Sequence, residues 1–280
     1  MRRRELERTR EAAPQAVVVE LPPPRQVDEP LVAPIAPFEP ELEQMRLALG
    51  LGIRDMVRVA VDANGAMRAD ALAQALEGER GVPTIVCCQA GNVNTGALDP
   101  VGELADIAHA HDAWLHVDGA IGLWTAACRP SKLPGLERAD SWSTDAHKWL
   151  NVPYDCGIAI CAHPDAHAAA MEYAAPYLAV AEDAVAERDP MGYSPEFSRR
   201  ARSLPVWAAI RSLGRSGVAD LVASSCASAR AIADGLADVP GCEILNDVVL
   251  NQVLVRFESD ERTRAVLAAI QAEGEAYPTH

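Results

Sequence analysis

Positive charge is scarce in this sequence of 280 residues, which carries 25 lysines and arginines against 40 aspartates and glutamates. A formal net charge of −15 would repel the phosphates of nucleic acid and the headgroups of an anionic membrane, so neither is an expected partner. No run of eighteen apolar residues is present, and no apolar segment follows the basic start at residues 1–4 as it would in a secretory signal. These absences predict a cytoplasmic protein that does not enter a membrane.

The cysteines show no spacing that is typical of disulfides or metal sites. The seven cysteines are odd in number, include no Cys-x-x-Cys pair, and lie in several cases in apolar segments typical of strands. Buried free thiols in a reducing compartment are therefore favoured over disulfides. The histidines do not predict a metal site, because His109 and His111 are two residues apart on a predicted helix and would point in different directions.

Lysine is the scarcest charged residue: among the 25 basic residues, only Lys132 and Lys148 are lysines. Lys148 lies in an apolar and aromatic segment, although arginine is used almost everywhere else. Arginine stays protonated near neutral pH and cannot condense with an aldehyde, whereas a partly buried lysine amine can. Position alone leaves two interpretations open: a lysine that carries chemistry, or one that extends to solvent from a strand end.

Two short segments typical of buried strands lead into polar residues. The first, Leu115–Val117, is followed by Asp118, and the second, residues 139–145, is followed by His147 and Lys148. The carboxyl ends of such strands would lie at one edge of a sheet, so a carboxylate and an amine would face one cleft. This pair suits pyridoxal 5'-phosphate (PLP), because the amine can hold the aldehyde while the carboxylate keeps the pyridine nitrogen protonated.

The order of these residues resembles the PLP-dependent decarboxylases, the family that includes the aromatic amino acid and glutamate decarboxylases. The motif His116–Ala120 is followed about thirty residues later by Asp145–Trp149, and then by Asp155–Gly157. The loop Gly91–Asp99 precedes them, and the resemblance extends over most of the chain, from about residue 45 to residue 263. This ordered set is far more specific than a single His-Lys pair.

The resemblance implies a role for each matching residue. Lys148 corresponds to the Schiff-base lysine, Asp118 to the partner of the pyridinium nitrogen, and Ala120 to the residue packed under the ring. His147 corresponds to a catalytic neighbour of the cofactor and substrate, and the amide of Asn92 stands in the loop where the family usually has a hydroxyl. From the residues alone, Asp118 could instead be a carboxylate that caps a helix or a turn. His147 could be a buried histidine whose hydrogen bonds are satisfied within the core.

The family further implies a carboxy-lyase that acts on an amino acid and assembles as a homodimer. Three departures leave alternatives open: the upstream third with its phosphate-binding serines is missing, Glu39–Glu41 stand where a ring-stacking histidine is usual, and the chain ends early. We therefore expect a decarboxylase-like fragment. Another PLP reaction, such as that of an aminotransferase, aldolase or desulfurase, and a cofactor-free dimerising remnant remain alternatives.

Strand and helix patterns alternate along the chain, which predicts an α/β fold with a mostly parallel sheet, helices on both faces, and ligands at the carboxyl ends of the strands. The resemblance narrows this to the aspartate aminotransferase fold, fold type I. We expect a Pro-rich disordered tail over residues 1–40, with one extended piece at 16–21, a partial PLP-binding large domain over 41–195, and a partial small α+β domain over 196–280. The predicted strands that matter below are 56–61, 83–88, 114–117, 156–161, 243–245 and 248–257, and the predicted helices are 42–49, 69–76, 100–111, 164–171, 198–213, 218–236 and 261–272.

Overall fold

The structure, a computed structural model, describes the backbone of residues 15–18 and all of residues 57–77, 83–171, 193–194 and 198–279. Five strands form one sheet in the order of the sequence. The first four pair in parallel and the fifth runs antiparallel to the fourth, which confirms the mostly parallel α/β sheet. The strands are β1 (Gln15–Val18), β2 (Thr84–Gln89), β3 (Trp114–Asp118), β4 (Ser141–Asp145) and β5 (Gly157–Cys161).

Helices connect the strands and complete the C-terminal part of the chain. Two short strands pair there in antiparallel fashion, as expected for a small α+β unit. Among the described residues, no helix combines the length and the hydropathy needed to cross a bilayer. The helices are α1 (Ala69–Glu77), α2 (Val101–Ala110), α3 (Pro164–Met171), α4 (Ser203–Ala237) and α5 (Asp260–Glu273), and the two short strands are β6 (Cys242–Ile244) and β7 (Val255–Phe257).

The main core lies on one face of the sheet. Alternate residues of β2 and β3 are fully buried there, as the two-residue period of a strand requires. They pack against α1 and α2, and burial of this apolar surface is the main stabilising contribution to the sheet. On the other face, His116 and Asp118 are half-buried. Helices α1 and α2 therefore cover the first face of the sheet, as predicted. That face is formed by Val86, Cys88, Leu115 and Val117.

Part of the Pro-rich tail belongs to the sheet. Backbone pairing places Gln15–Val18 in parallel with Thr84–Cys87, so the extended piece expected at 16–21 is present as β1. These four residues are ordered because β2 offers them an edge with unpaired backbone groups, and the disordered tail over the other residues of 1–40 stays a prediction. The remainder of residues 1–40 and the helix predicted at 42–49 lie outside the described residues. The remaining domain boundaries stay predictions.

Two predicted strands are not formed as expected. Residues 57–60 stay irregular, and Val61 forms only an isolated antiparallel bridge with Met67, because the chain turns back at Asp62. The Oδ1 atom of Asp62 accepts from the N–H groups of Asn64 (2.8 Å) and Ala66 (2.9 Å) in this turn. The strand predicted at 248–257 begins only at Val255. Before it, the side chain of Asn246 accepts from Leu254 N at 2.8 Å and holds the intervening segment as a loop.

The two helices predicted around Gly214 form one element, α4, with a break at that residue. Gly214 has φ 64° and ψ −177°, a left-handed conformation that glycine adopts without steric cost. Val206 and Val218, on either side of the break, contact the cluster formed by Ala146, Leu150, Val152 and Cys156. Val222 and Cys226 contact a separate cluster around Leu250. The break predicted at Gly214 is confirmed, and the helix begins at Ser203, later than predicted.

Asp140 ties three elements together where β4 begins. Its Oδ2 accepts from Leu115 N at 2.7 Å and lies 3.1 Å from His109 Nε2, at the end of α2. Its Oδ1 lies 2.7 Å from Nε2 of His163, which follows β5. One carboxylate therefore fixes the amino-terminal end of β4 against β3, α2 and the chain after β5.

Asp99 closes the loop that follows β2. Its side chain is buried, with Oδ1 accepting from Met67 N at 2.7 Å and Oδ2 from Gln89 N at 2.6 Å. Burial raises the pKa of Asp99 to about 6, although the two backbone donors oppose that rise. The folded chain therefore holds this proton more tightly than the unfolded chain, in which an aspartate has an ordinary pKa near 3.9.

We expect Asp99 to stabilise the fold less as the pH rises through the window from about 4 to 6. The free energy of unfolding of the native protein, minus that of Asp99→Asn, should fall by about 2 kcal/mol between about pH 4 and pH 7. Urea unfolding of both proteins at several pH values measures this difference, in which the other titrating groups cancel. A difference that stays constant or grows with pH would contradict the assignment.

Candidate active site

The parallel pairing of β3 with β4 sets the geometry of the site. Asp118 stands opposite Ser143 and His116 opposite Ser141, so these side chains share one face of the sheet. His116 confirms this, because Nδ1 lies 2.8 Å from Ser141 Oγ and Nε2 lies 3.3 Å from Ser143 Oγ. Since side chains alternate along a strand, Asp145 at the end of β4 lies on the same face as Asp118.

Asp118 is oriented by the turn that follows it. Its Oδ1 accepts from Ala120 N at 3.0 Å, and Gly119 N donates to Ser143 O at 2.8 Å. A Cβ at Gly119 would lie 2.5 Å from Leu123 Cβ, so only glycine allows the chain to turn this closely. Ala120 is half-buried at the same turn. The predicted pair Asp118 and Ala120 therefore lies together at the carboxyl edge of the sheet.

Lys148 reaches the same edge from the turn after β4. Its Nζ lies 2.9 Å from Asp145 Oδ2, and its side chain is 31% exposed. The turn itself is anchored at Ala146, which is fully buried and donates its N–H to Cys156 O at 2.9 Å. The amine is thus held beside the carboxylate of Asp145, which lies on the face that carries Asp118, and the predicted roles of Lys148 and Asp118 stay predictions.

His147 is packed inside the same turn. Cys156 N donates to His147 Nδ1 at 3.3 Å, and the ring lies 4.2 Å from the ring of Tyr154, between centroids. Because Nδ1 accepts a hydrogen bond, the proton of the neutral ring lies on Nε2. That nitrogen is 3.8 Å from Asp145 Oδ2. His147 is therefore available as a donor on the side of Asp145 and Lys148.

Asn92 shapes the loop that lies beside Asp118. It is buried, and its Oδ1 accepts from Asn94 N at 3.0 Å and Thr95 N at 3.1 Å while Nδ2 donates to Gln89 Oε1 at 3.2 Å. The loop starts next to β3, because Ala90 N donates to the backbone oxygen of Asp118 at 2.7 Å. Asn92 thus has a structural role within the loop, and its contact with a cofactor stays a prediction.

Trp124 is a site residue that the sequence did not reveal. Its Nε1 donates to Asp145 O at 3.1 Å, and its ring packs against the clusters that contain Leu150 and Leu250. The bond joins the turn after Asp118 to the end of β4. An apolar residue four positions after Ala120 gives no local signal of this role, because the partner carbonyl lies 21 residues away.

The donor set fits PLP. An amine and a carboxylate stand on one face at the ends of two neighbouring strands, and a glycine-bearing loop from a third strand lies beside them. These are the groups needed to hold an aldehyde covalently and to pair with a pyridine nitrogen. Lys148 and Asp118 would hold the two ends of the ring.

We expect Trp124→Phe to loosen the turn that carries Lys148. Trp142→Phe is a matched control, since Trp142 Nε1 also donates to a backbone oxygen, that of Leu136 at 2.9 Å. Each substitution should lower stability by about 1 kcal/mol. Only Trp124→Phe should raise the rate at which an amine reagent labels Lys148 relative to Lys132, by roughly two- to fivefold, because local opening becomes easier.

Mass spectrometry of the two lysine-containing peptides gives this ratio directly, with Lys132 as the internal reference. Equal ratios in the native protein and Trp124→Phe, or an equal rise in Trp142→Phe, would show that the Trp124 bond does not hold the turn.

Comparison with known proteins places this site in a family. The profile described as "Pyridoxal-dependent decarboxylase conserved domain" matches residues 42–258. An L-2,4-diaminobutyrate decarboxylase of Rhizobium meliloti (strain 1021) is 34% identical over 217 residues, which are 75% of this chain and 43% of that protein. A 4-hydroxyphenylacetaldehyde synthase of Rhodiola rosea is 30% identical over 206 residues, which are 70% of this chain and 41% of that protein.

The solved structures agree on the fold. The crystal structure of Oryza sativa TDC with PLP and tryptamine superposes with a TM-score of 0.83 at 23% identity, covering 99% of this chain and 58% of that chain. In the two sequence alignments, by contrast, the chain spans less than half the length of the curated relatives it matches. The matched segment contains Asp118 and the Lys148 turn, and the chain belongs to the pyridoxal-dependent decarboxylase family.

Proposed function

We propose that this chain provides the PLP-binding part of an amino acid carboxy-lyase. The observation that carries the proposal is the placement of Lys148 and Asp118: the amine is 2.9 Å from Asp145, and Asp145 shares a face of the sheet with Asp118 on the neighbouring strand. Family membership supports the same chemistry. The substrate class is an α-amino acid, whose amino group would compete with the Lys148 amine for the cofactor aldehyde.

Each predicted site residue of this chain would have a separate role in binding the cofactor and the substrate. Lys148 Nζ would attach the cofactor covalently and leave when the substrate amine takes its place. Asp118, held by Ala120 N, would keep a proton on the pyridine nitrogen. When bound, PLP supplies a ring that accepts the electron pair released with carbon dioxide. His147, as an Nε2–H donor, would face the cofactor or the substrate from the Lys148 side, and Asn92 would fix the loop beside the ring.

An alternative reaction on the same scaffold is favoured by one comparison. The Rhodiola relative is named as an aldehyde synthase, so a member of similar sequence carries a name other than decarboxylase. Assays for carbon dioxide, amine, aldehyde and keto acid from the same incubation separate these reactions. Carbon dioxide with amine supports the carboxy-lyase, and carbon dioxide with aldehyde would select the aldehyde-forming reaction. Keto acid without carbon dioxide would select an aminotransferase.

The first test uses the two lysines as a matched pair. After reconstitution with PLP and reduction with borohydride, we expect the native protein to carry one reduced adduct per chain on the Lys148 peptide. Lys148→Ala should lose the adduct and also the visible absorption that the Schiff base shows before reduction, because Lys132 is the only other lysine of the chain and lies in a separate turn. Lys132→Ala should keep both, because Lys132 lies in a separate short turn, Pro130–Lys132.

Peptide mapping by mass spectrometry decides the outcome. An adduct spread over Lys132 and the amino terminus, or equal signals from Lys148→Ala and the native protein, would refute the site. A folded native protein without any adduct would select the cofactor-free remnant, which the partial length of the chain relative to its relatives keeps as the second candidate.

We further propose that the protein is a cytoplasmic homodimer. All seven cysteines are free thiols, as expected in a reducing compartment. The first half of α4 exposes apolar side chains, with Leu204 at 62%, Trp207 at 60% and Ile210 at 41% exposure, and a second copy of the chain would cover them.

Sedimentation analysis tests the dimer. We expect the native protein to sediment as a dimer and Trp207→Glu as a monomer, since a buried unpaired charge is costly at an interface. Tyr277→Glu is the control, because Tyr277 is an exposed aromatic residue near the C-terminus, at 79% exposure. A monomeric native protein, or a dimer that Trp207→Glu leaves intact, would contradict this interface.

A further inference from the structure

The loop between β6 and β7 is built around one buried amide. Asn246 is 9% exposed, and its Oδ1 accepts from Leu254 N at 2.8 Å. Its Nδ2 donates to Gln252 O at 3.1 Å and, across to the large domain, to Thr95 O at 2.8 Å. One side chain therefore closes its own loop and binds the loop beside the candidate active site.

The two loops also fit together closely. A Cβ at Gly96 would lie 2.8 Å from Gln252 Oε1, and one at Gly91 would lie 3.1 Å from Leu250 Cδ1. Leu250 is buried at 1% exposure. The glycines thus serve a purpose that the sequence did not indicate: they let the C-terminal segment approach the loop.

The Gly91–Gly96 loop, which Asn246 contacts, is adjacent to the residues proposed to bind the cofactor. Gly91 packs against Gly122, in the turn that follows Asp118, since a Cβ at Gly91 would lie 2.9 Å from Gly122 N. Within the loop, Gly96 N donates to Asn92 O at 2.8 Å. Any shift of Thr95 would therefore be passed to Asn92 and to the backbone beside Asp118.

We propose that Asn246 is a positioning residue of the PLP site, which it stabilises from the C-terminal domain by fixing the Gly91–Gly96 loop through the carbonyl of Thr95. This inference rests on the proposed function for its cofactor, and on the described contacts alone for the loop. It makes the affinity for PLP depend on the docking of the segment 246–254.

The test compares Asn246→Asp with Asn64→Ala. Asn246→Asp keeps the acceptor for Leu254 N and removes the Nδ2 donors to Thr95 O and to Gln252 O. Of these two bonds, the one to Thr95 O joins the Gly91–Gly96 loop. Asn64→Ala removes a second contact of the same segment, the bond from Asp247 N to Asn64 Oδ1 at 2.9 Å, which does not involve the Gly91–Gly96 loop. Asn246→Ser is a further variant, because its hydroxyl is too short to reach Thr95 and it brings no charge.

Two measurements are made on each protein. Amide hydrogen exchange of the cofactor-free protein should show Asn94, Thr95 and Gly96 exchanging roughly tenfold faster in both Asn246 variants, as expected for the loss of one buried hydrogen bond. The dissociation constant for PLP, from its absorption, should rise about tenfold. Asn64→Ala should change neither quantity by more than about twofold.

Each result bears on a separate claim. Unchanged loop exchange in both Asn246 variants, or an equal change in Asn64→Ala, would overturn the proposal. Faster loop exchange with unchanged PLP affinity would overturn it too, because Asn246 would then only support the local fold. If the native protein binds no PLP, the proposed function fails, while the exchange data still decide whether Asn246 holds the loop.

Discussion

The parallel pairing of β3 with β4 is the constraint on which the candidate site depends. It sets Asp118 level with Ser143, and it directs both side chains to the face that also carries Asp145. A slip of one residue would turn the β4 side chains to the opposite face, because side chains alternate along a strand. The Asp140 carboxylate opposes such a slip, since it holds the start of β4 to Leu115 N and to two histidines.

The site combines rigid support with one charged contact. Lys148 lies in a turn anchored by Ala146 and braced by Trp124, while its amine faces Asp145 at 2.9 Å. His147 is fixed by a backbone donor, which decides the nitrogen that carries its proton. Contacts within the chain itself thus restrict the amine and the carboxylate, which lowers the conformational entropy that binding would have to remove.

The local parts of this structure could be predicted from the sequence, and the long-range contacts could not. Short apolar segments and their polar ends predicted that Asp118 and Lys148 follow two neighbouring strands, because these signals lie within a few neighbouring residues. The segment 248–254 resembled a strand by composition, yet Asn246 holds it as a loop through Leu254 N and joins that loop to Thr95, 151 residues away in the sequence. Trp124 and Asp99 were missed as structural supports for the same reason: their partners are distant in the sequence.

The second half of α4 has a consequence for the shape of the site. Val218 touches the cluster beneath the Lys148 turn, and Val222 touches the cluster around Leu250, which backs the loop beside Asp118. These two residues are one helical turn apart, a rise of about 6 Å. A helix resists stretching, so this single turn acts as a fixed spacer, and the backbone of α4 sets the separation between the cluster at the Lys148 turn and the cluster around Leu250.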